Sequence, residues 1–271
     1  MKFIVSFTTS PTRINKCSQM IYSILNQTRK PDLFILNIPH VFDRTGETYS
    51  VPKYINKQVV VNHVDRDYGP ATKIIPTIKY LKERGNMYDP KDTRIIYLDD
   101  DISYMPRMID TYAKIIADDD DNTWTATGFD FVNIQLNGKR SHRDTATIAE
   151  GYGSVCVKLS IFGDDFFEYI DRYIHDASCR LSDDIILSNY YHKKNIGINI
   201  VNIPNQHSIH DMWRNNNILS YGNEDDALHF GAGGTSDNNV DRYKKVITKL
   251  NKGKERCFKM SFIQNDTIIY R

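Results

Sequence analysis

The sequence predicts an α/β protein: a mixed, mostly parallel sheet flanked by helices, in one domain with a C-terminal extension. Three observations predict it. Strand-like and helix-like segments alternate through the first half of the 271 residues. The opening run Lys2–Thr8 is apolar enough to be a buried strand. An acidic run, Asp99-Asp100-Asp101, follows the fourth apolar segment, and open α/β sheets bind ligands at the carboxyl ends of their strands.

The elements follow in order. After Lys2–Thr8, Lys16–Leu25 carries Met20, Ile21, Ile24 and Leu25 at helical spacing. Leu33–Ile38 reads as a second strand, stopped by Pro39, and Gln58–Val64 as a third. Proline suits a first helical turn, so a helix is expected from Pro70 to Leu81. Arg94–Leu98 is the fourth strand and Met108–Ala117 a helix, ended by Asp118–Asp121, which reads as a solvated loop. Beyond Trp124 the alternation weakens. Thr123–Gly128 is a short strand, Leu136-Asn137-Gly138-Lys139 a hairpin turn, Asp164–Ile174 and Asp183–Tyr191 helices, and Ile198–Ile203 a last strand. Residues 205–236 are rich in Asn, Gly and His, a long polar stretch of the kind that serves as a lid or binding loop.

Composition narrows the classes. Hydrophobic residues make up 40% and charged residues 25%, which suits a globular chain rather than a disordered one. A net charge of +1 gives no general pull toward nucleic acid. Cys17, Cys156, Cys179 and Cys257 are scattered without zinc spacing, which points to reduced thiols. The apolar run at the N-terminus is short for a signal peptide, and no stretch reaches the roughly 20 apolar residues of a membrane span. A cytoplasmic location is expected, the host cytoplasm if the source is a virus.

The acidic run carries the chemistry. Three adjacent carboxylates repel one another unless water or a cation screens them. Hard divalent cations prefer oxygen ligands, and Mg²⁺ commonly takes one or two carboxylates plus substrate phosphates. Alternate residues of an extended segment point the same way. Asp99 and Asp101 therefore either share a metal or divide metal and ribose between them, with a solvated acidic turn as the alternative.

Five blocks occur in order: Ser6-Phe7-Thr8-Thr9-Ser10-Pro11-Thr12-Arg13-Ile14 with Ser23-Ile24-Leu25-Asn26-Gln27, Asp65–Lys73, Leu98–Tyr104, Glu150-Gly151-Tyr152-Gly153, and Ser182-Asp183-Asp184-Ile185. This ordered set resembles the GT-A class of nucleotide-sugar glycosyltransferases, in a branch found in bacteria and large DNA viruses. The resemblance spans roughly residues 1–210, which divide into a nucleotide-binding half (1–105) and an acceptor half (106–210), with 211–271 as lid and extension.

The resemblance implies a metal-dependent transfer of a hexosyl or deoxyhexosyl group from a UDP-sugar to a glycan or other hydroxyl acceptor. GDP and dTDP stay open as alternative nucleotides. It implies that Thr8, Thr9 and Arg13 hold the nucleotide and diphosphate, and that Asp67, Lys73 and Asp100 belong to the donor pocket. Gly151 and Gly153 would admit close approach of donor sugar or acceptor. Asp99 and Asp101 would bind Mn²⁺ or Mg²⁺, completed by His210, with His207 and His229 as rivals. Asp184, with Asp183 close behind, would face the acceptor hydroxyl, as a base if the reaction inverts and as a positioning group if it retains. Ser182 is a plausible helix cap, so one acid of the pair could instead be a helix-start residue. Arg214, early in the polar stretch, would help neutralise the diphosphate. A nucleotidyltransferase is the enzymatic alternative, although Thr8–Arg13 lacks a glycine-rich phosphate loop. A non-catalytic carbohydrate-binding module is the other. Sugar, acceptor, linkage and oligomeric state are not legible.

Overall fold

Apolar strands buried on both faces organise the chain. The computed structural model describes residues 1–116, 120–132, 137–140, 144–201, 239–259, 261–264 and 267–270. The strands are β1 (Lys2–Phe7), β2 (Leu33–Pro39), β3 (Val60–Val64), β4 (Thr93–Tyr97), β5 (Thr123–Thr125), β6 (Gly128–Val132), β7 (Asn137–Arg140), β8 (Ile148–Ala149), β9 (Val155–Lys158), β10 (Ile198–Ile200), β11 (Ser261–Gln264) and β12 (Thr267–Tyr270). The helices are α1 (Ser18–Leu25), α2 (Lys53–Asn56), α3 (Ile75–Lys82), α4 (Met108–Ile115), α5 (Asp165–Tyr173), α6 (Ala177–Arg180), α7 (Asp183–Lys193) and α8 (Asn239–Lys252).

The main sheet has seven strands in the order β10-β5-β9-β4-β1-β2-β3. Every pairing is parallel except those of β9, which runs antiparallel to both β4 and β5. The α/β class and the mostly parallel sheet are thus as the sequence predicts. Side chains alternate across the sheet. Phe3, Val5, Phe7, Leu36, Ile38 and Ile96 join one core with α1 and α4, while Ile4, Ile35, Ile95 and Tyr97 join the other with α3, α5 and α7. A smaller sheet, β12-β11-β6-β7 with β8 on β6, stands beside it. Val246, Ile247 and Leu250 of α8 belong to the second core.

Several elements differ from expectation. The helix expected over Pro70–Leu81 is a 3-10 turn at Gly69–Lys73 followed by α3, with Ile74 between them at φ −128°. Pro76 explains the break, since it lacks an N–H and its ring crowds the preceding turn. Of the turn expected at Leu136–Lys139, the described residues are strand instead: Asn137–Arg140 is β7, paired with β6 from Val132 opposite Asn137. Cross-strand pairing overrides the Asn-Gly turn signal there. The run Asp118–Asp121 is not simply solvated at its described end. Asp120 accepts from Trp124 Nε1 at 2.7 Å and Asp121 pairs with Lys158 at 2.6 Å. Strand β9 and helix α8 have no counterpart in the sequence reading. The polar stretch 205–236, with His207, His210, Arg214 and His229, lies outside the described residues.

Candidate active site

The carboxyl ends of β1 and β4 lie side by side, since β1 and β4 pair in register from Lys2 opposite Thr93 to Ser6 opposite Tyr97. Thr9 therefore meets the acidic run. Its hydroxyl donates to Asp100 Oδ2 at 2.5 Å. Arg13 closes over the same acids, 3.2 Å from Asp100 Oδ1 and 2.5 Å from Asp101 Oδ2. Burial works against the Arg13 charge, but Asp100 and Asp101 outweigh it and hold its pKa above the ordinary value. Asp100 is buried, and burial pushes its carboxyl up to about 7 against the pull of Arg13. Asp101 is raised as well, by burial and then by Asp99. Arg13, assigned to the diphosphate by resemblance, is engaged with carboxylates in this state.

Asp99 turns the other way. Its Oδ1 lies 2.7 Å from Nζ of Lys73, and the same ammonium lies 3.0 Å from Asp183 Oδ2. Lys73 is 3% exposed. Burial disfavours its charge, but Asp183, Asp99 and Asp184 prevail and hold its pKa well above the usual lysine value. The backbone N–H of Gly151 donates to Asp184 Oδ1 at 2.9 Å. Burial, then the charge of Asp183, pushes the Asp184 carboxyl well above the carboxylate range, with Lys73 pulling the other way. Asp184 keeps partial solvent access whereas Asp183 is buried. Ser182 makes no side-chain cap bond, so the two acids open α7 without it.

The remaining residues divide by role. A Cβ on Gly151 would lie 2.5 Å from Lys73 Nζ, and one on Gly153 would lie 2.3 Å from Thr127 Oγ1. Both glycines admit protein side chains here. Asp67 and Lys73 do not pair with each other. Asp67 accepts from the N–H of Gly69 at 2.6 Å and of Asp43 at 3.0 Å, which fixes the turn that carries Lys73. Gly69 adopts φ +62°, a conformation that favours glycine. Thr8 donates to the carbonyl of Asn37 at 2.8 Å.

Sequence reasoning missed the supports. Ser6 donates to the Lys73 carbonyl and lies 2.6 Å from Thr77 Oγ1, while Asn37 Nδ2 donates to Thr77 Oγ1 at 2.7 Å. This buried set ties β1, β2 and α3 beneath Lys73. Its signal was a polar residue inside an apolar strand, Ser6 in β1 and Asn37 in β2, because buried polar groups require partners. Tyr104 OH donates to the Tyr152 carbonyl at 3.0 Å, joining the acidic run to the glycine loop.

Among the described residues, five carboxylates (Asp99, Asp100, Asp101, Asp183 and Asp184) thus face two cations, Lys73 and Arg13. Burial is the main cause of the raised carboxyls of Asp100, Asp101 and Asp184, and the like charge of their neighbours adds to it. Among the described residues no three His, Cys, Asp or Glu side chains are gathered as a ready metal site. The donor set nevertheless suits a hard cation: Asp99 and Asp101 keep 35% and 18% of their side chains exposed and each commits one oxygen to a protein cation.

No protein-family model and no curated protein sequence matches the chain. Among solved structures, a nucleoside-diphosphate-sugar pyrophosphorylase from Vibrio cholerae RC9 is similar at 12% identity, over 78% of this chain and 99% of that one, with a TM-score of 0.35. Mouse xyloside xylosyltransferase 1, in its apo form, is similar at 10% identity, over 89% of this chain and 95% of that one, with a TM-score of 0.31.

Proposed function

We propose that the protein is a GT-A-type glycosyltransferase that moves a sugar from a nucleotide-diphosphate donor, a UDP-sugar by resemblance, to a hydroxyl acceptor. One observation carries the reading: Asp99 and the Asp183–Asp184 pair, more than eighty residues apart in sequence, converge on the ammonium of Lys73. A transferase of this kind needs donor-binding and acceptor-facing acids brought together at one site.

Asp99 and Asp101 would hold Mn²⁺ or Mg²⁺, with His210 as third ligand. The cation, when bound, supplies charge neutralisation to the departing diphosphate. Thr9 and Arg13 hold the acidic run in place, and Arg13 would offer a positive charge to a donor phosphate. Asp184, anchored by the Gly151 N–H, takes the acceptor proton if configuration inverts. Its raised pKa then makes it a stronger base than an ordinary carboxylate. If configuration is retained, the same contact orients the acceptor hydroxyl.

Titration calorimetry with UDP, with and without Mn²⁺, tests the donor half. Asp99→Ala and Asp101→Ala should abolish the metal-dependent part of the affinity while the variants remain folded. Undiminished metal-dependent binding in both would remove the metal assignment. Pyrophosphate rather than UDP as the product of turnover would move the protein to the nucleotidyltransferases.

A further inference from the structure

The C-terminal segment is far more basic than the rest of the chain. Between Asn239 and Lys259 it carries eight basic residues against two acidic, in a chain whose net charge is only +1. The charge is sorted by face. Val246, Ile247 and Leu250 are buried in the core, and Arg242 is buried with them. Lys244, Lys245 and Lys252 are exposed, and a period of 3.6 residues places them on one side of α8. Lys254 and Lys259 extend the exposed basic strip past the end of the helix.

The helix that carries the strip is tied to the core, and its buried face, opposite the lysines, leads toward the acid pair. Lys249 pairs with Asp176 at 2.9 Å, and Arg172 pairs with Glu255 at 3.2 Å. Asn189 of α7 donates to the Glu255 carbonyl at 3.0 Å and accepts from the Cys257 N–H at 2.7 Å. Tyr243 stacks on Phe129 of β6 with centroids 5.8 Å apart. β6 pairs with β8, which leads directly into Gly151 and so to Asp184.

We infer that this lysine face docks the protein electrostatically on an anionic lipid surface, with the Asp183–Asp184 pair brought toward an acceptor carried there. The acceptor half of that statement rests on the proposed transferase reading; the docking half does not. The helix has no apolar face left to insert, so attraction comes from charge alone. Lysines along a convex surface are point charges suited to a diffuse anionic plane, whereas phosphate-specific recognition favours the arginine fork. Single-stranded nucleic acid would want exposed aromatic platforms. Here Tyr243 is packed on Phe129 and Phe131, and Phe258 is buried.

Sedimentation with vesicles of about one third phosphatidylserine in phosphatidylcholine tests the inference, in about 50 mM and about 300 mM salt. The wild-type chain should bind at low salt, release at high salt and ignore pure phosphatidylcholine. Replacing Lys244, Lys252, Lys254 and Lys259 together by glutamine should weaken vesicle binding at least about tenfold, since each basic residue contributes roughly a fivefold factor near such a surface. UDP binding with Mn²⁺ should be unchanged in the same variant, which separates failure of the docking face from failure of the transferase site. Equal binding to neutral vesicles, or a four-lysine variant that binds as the wild type does, would overturn the inference. So would tighter, lysine-dependent binding to duplex DNA than to vesicles, which would assign the face to nucleic acid.

Discussion

Replacing Lys73 by methionine should destabilise the protein strongly at alkaline pH and much less at acidic pH. The substitution removes the ammonium but keeps most of the volume, so the cavity contribution is small. At an effective dielectric near 20, a charge pair at 3 Å attracts by roughly 5 kcal/mol before desolvation is subtracted. Asp183 receives most of that attraction because it is 8% exposed, whereas Asp99 is 35% exposed and its share is screened by water. Removing one partner of a buried pair costs about 3–5 kcal/mol, because the other charge is left uncompensated. For a chain of this length that corresponds to a fall of about 10 °C in Tm. Toward acidic pH the deficit should shrink, because Asp184, already raised by burial and by Asp183, loses the opposing pull of Lys73 and its protonated form is favoured further. Thermal melts of both proteins at pH 8 and pH 5 measure it. A deficit below about 1 kcal/mol at pH 8 would refute the reasoning, as would equal deficits at both pH values. Lys73→Arg should not rescue, because a guanidinium is wider than the space beneath Gly151, where an added Cβ would already lie 2.5 Å from Nζ.

Asp184→Asn should bind UDP nearly as the wild type does yet lose at least about a hundredfold in transfer rate if Asp184 is the base. If Asp183→Asn shows that loss and Asp184→Asn does not, the roles are exchanged, and full activity in both would remove the pair from the mechanism. Stability without added metal should fall as pH rises from about 4 to about 7. Asp100 holds a proton in the fold up to about 7 but releases it near 3.8 when unfolded, so the native state binds more protons across that window. Asp100→Asn should flatten the slope in urea titrations at pH 5 and pH 7.5. A slope that survives would locate the excess charge elsewhere. His192 works in the opposite direction, since burial holds its ring below the ordinary histidine value and acid costs stability there.

The strands of the nucleotide-binding half were legible because their signal is local. A run such as Phe3-Ile4-Val5 is apolar on both faces whatever it packs against, and burial on both faces is what β1 undergoes. β9 was not legible. Val155-Cys156-Val157 is as apolar as β1, but its antiparallel place between β4 and β5 is set by pairing partners that a single segment does not disclose. At the site, the acidic run and the Asp183–Asp184 pair stood out by residue type. Their common partner did not. Lys73 read as a donor-pocket lysine beside Asp67, because both lie in one short block. The fold sends Asp67 back to its own turn through the Gly69 N–H and sends Lys73 inward.

That inward turn explains why the site combines glycine, lysine and aspartate from four distant segments. An ammonium buried this deeply is tolerated only if carboxylates surround it, and carboxylates so close together are tolerated only if a cation lies between them. Each requirement supplies the other, with Asp99 arriving just past the end of β4, Asp183 and Asp184 on the first turn of α7, and Gly151 leaving room above Nζ. Beneath it, Ser6 donates to the Lys73 carbonyl and is itself held by Asn37 and Thr77, which fixes the backbone that carries the charge. Arg13 does the same for Asp100 and Asp101 on the other side of the run. Among the described residues two cations serve five acids, and burial, more than like charge, raises the carboxyls of Asp100 and Asp184 while Arg13 and Lys73 pull them back.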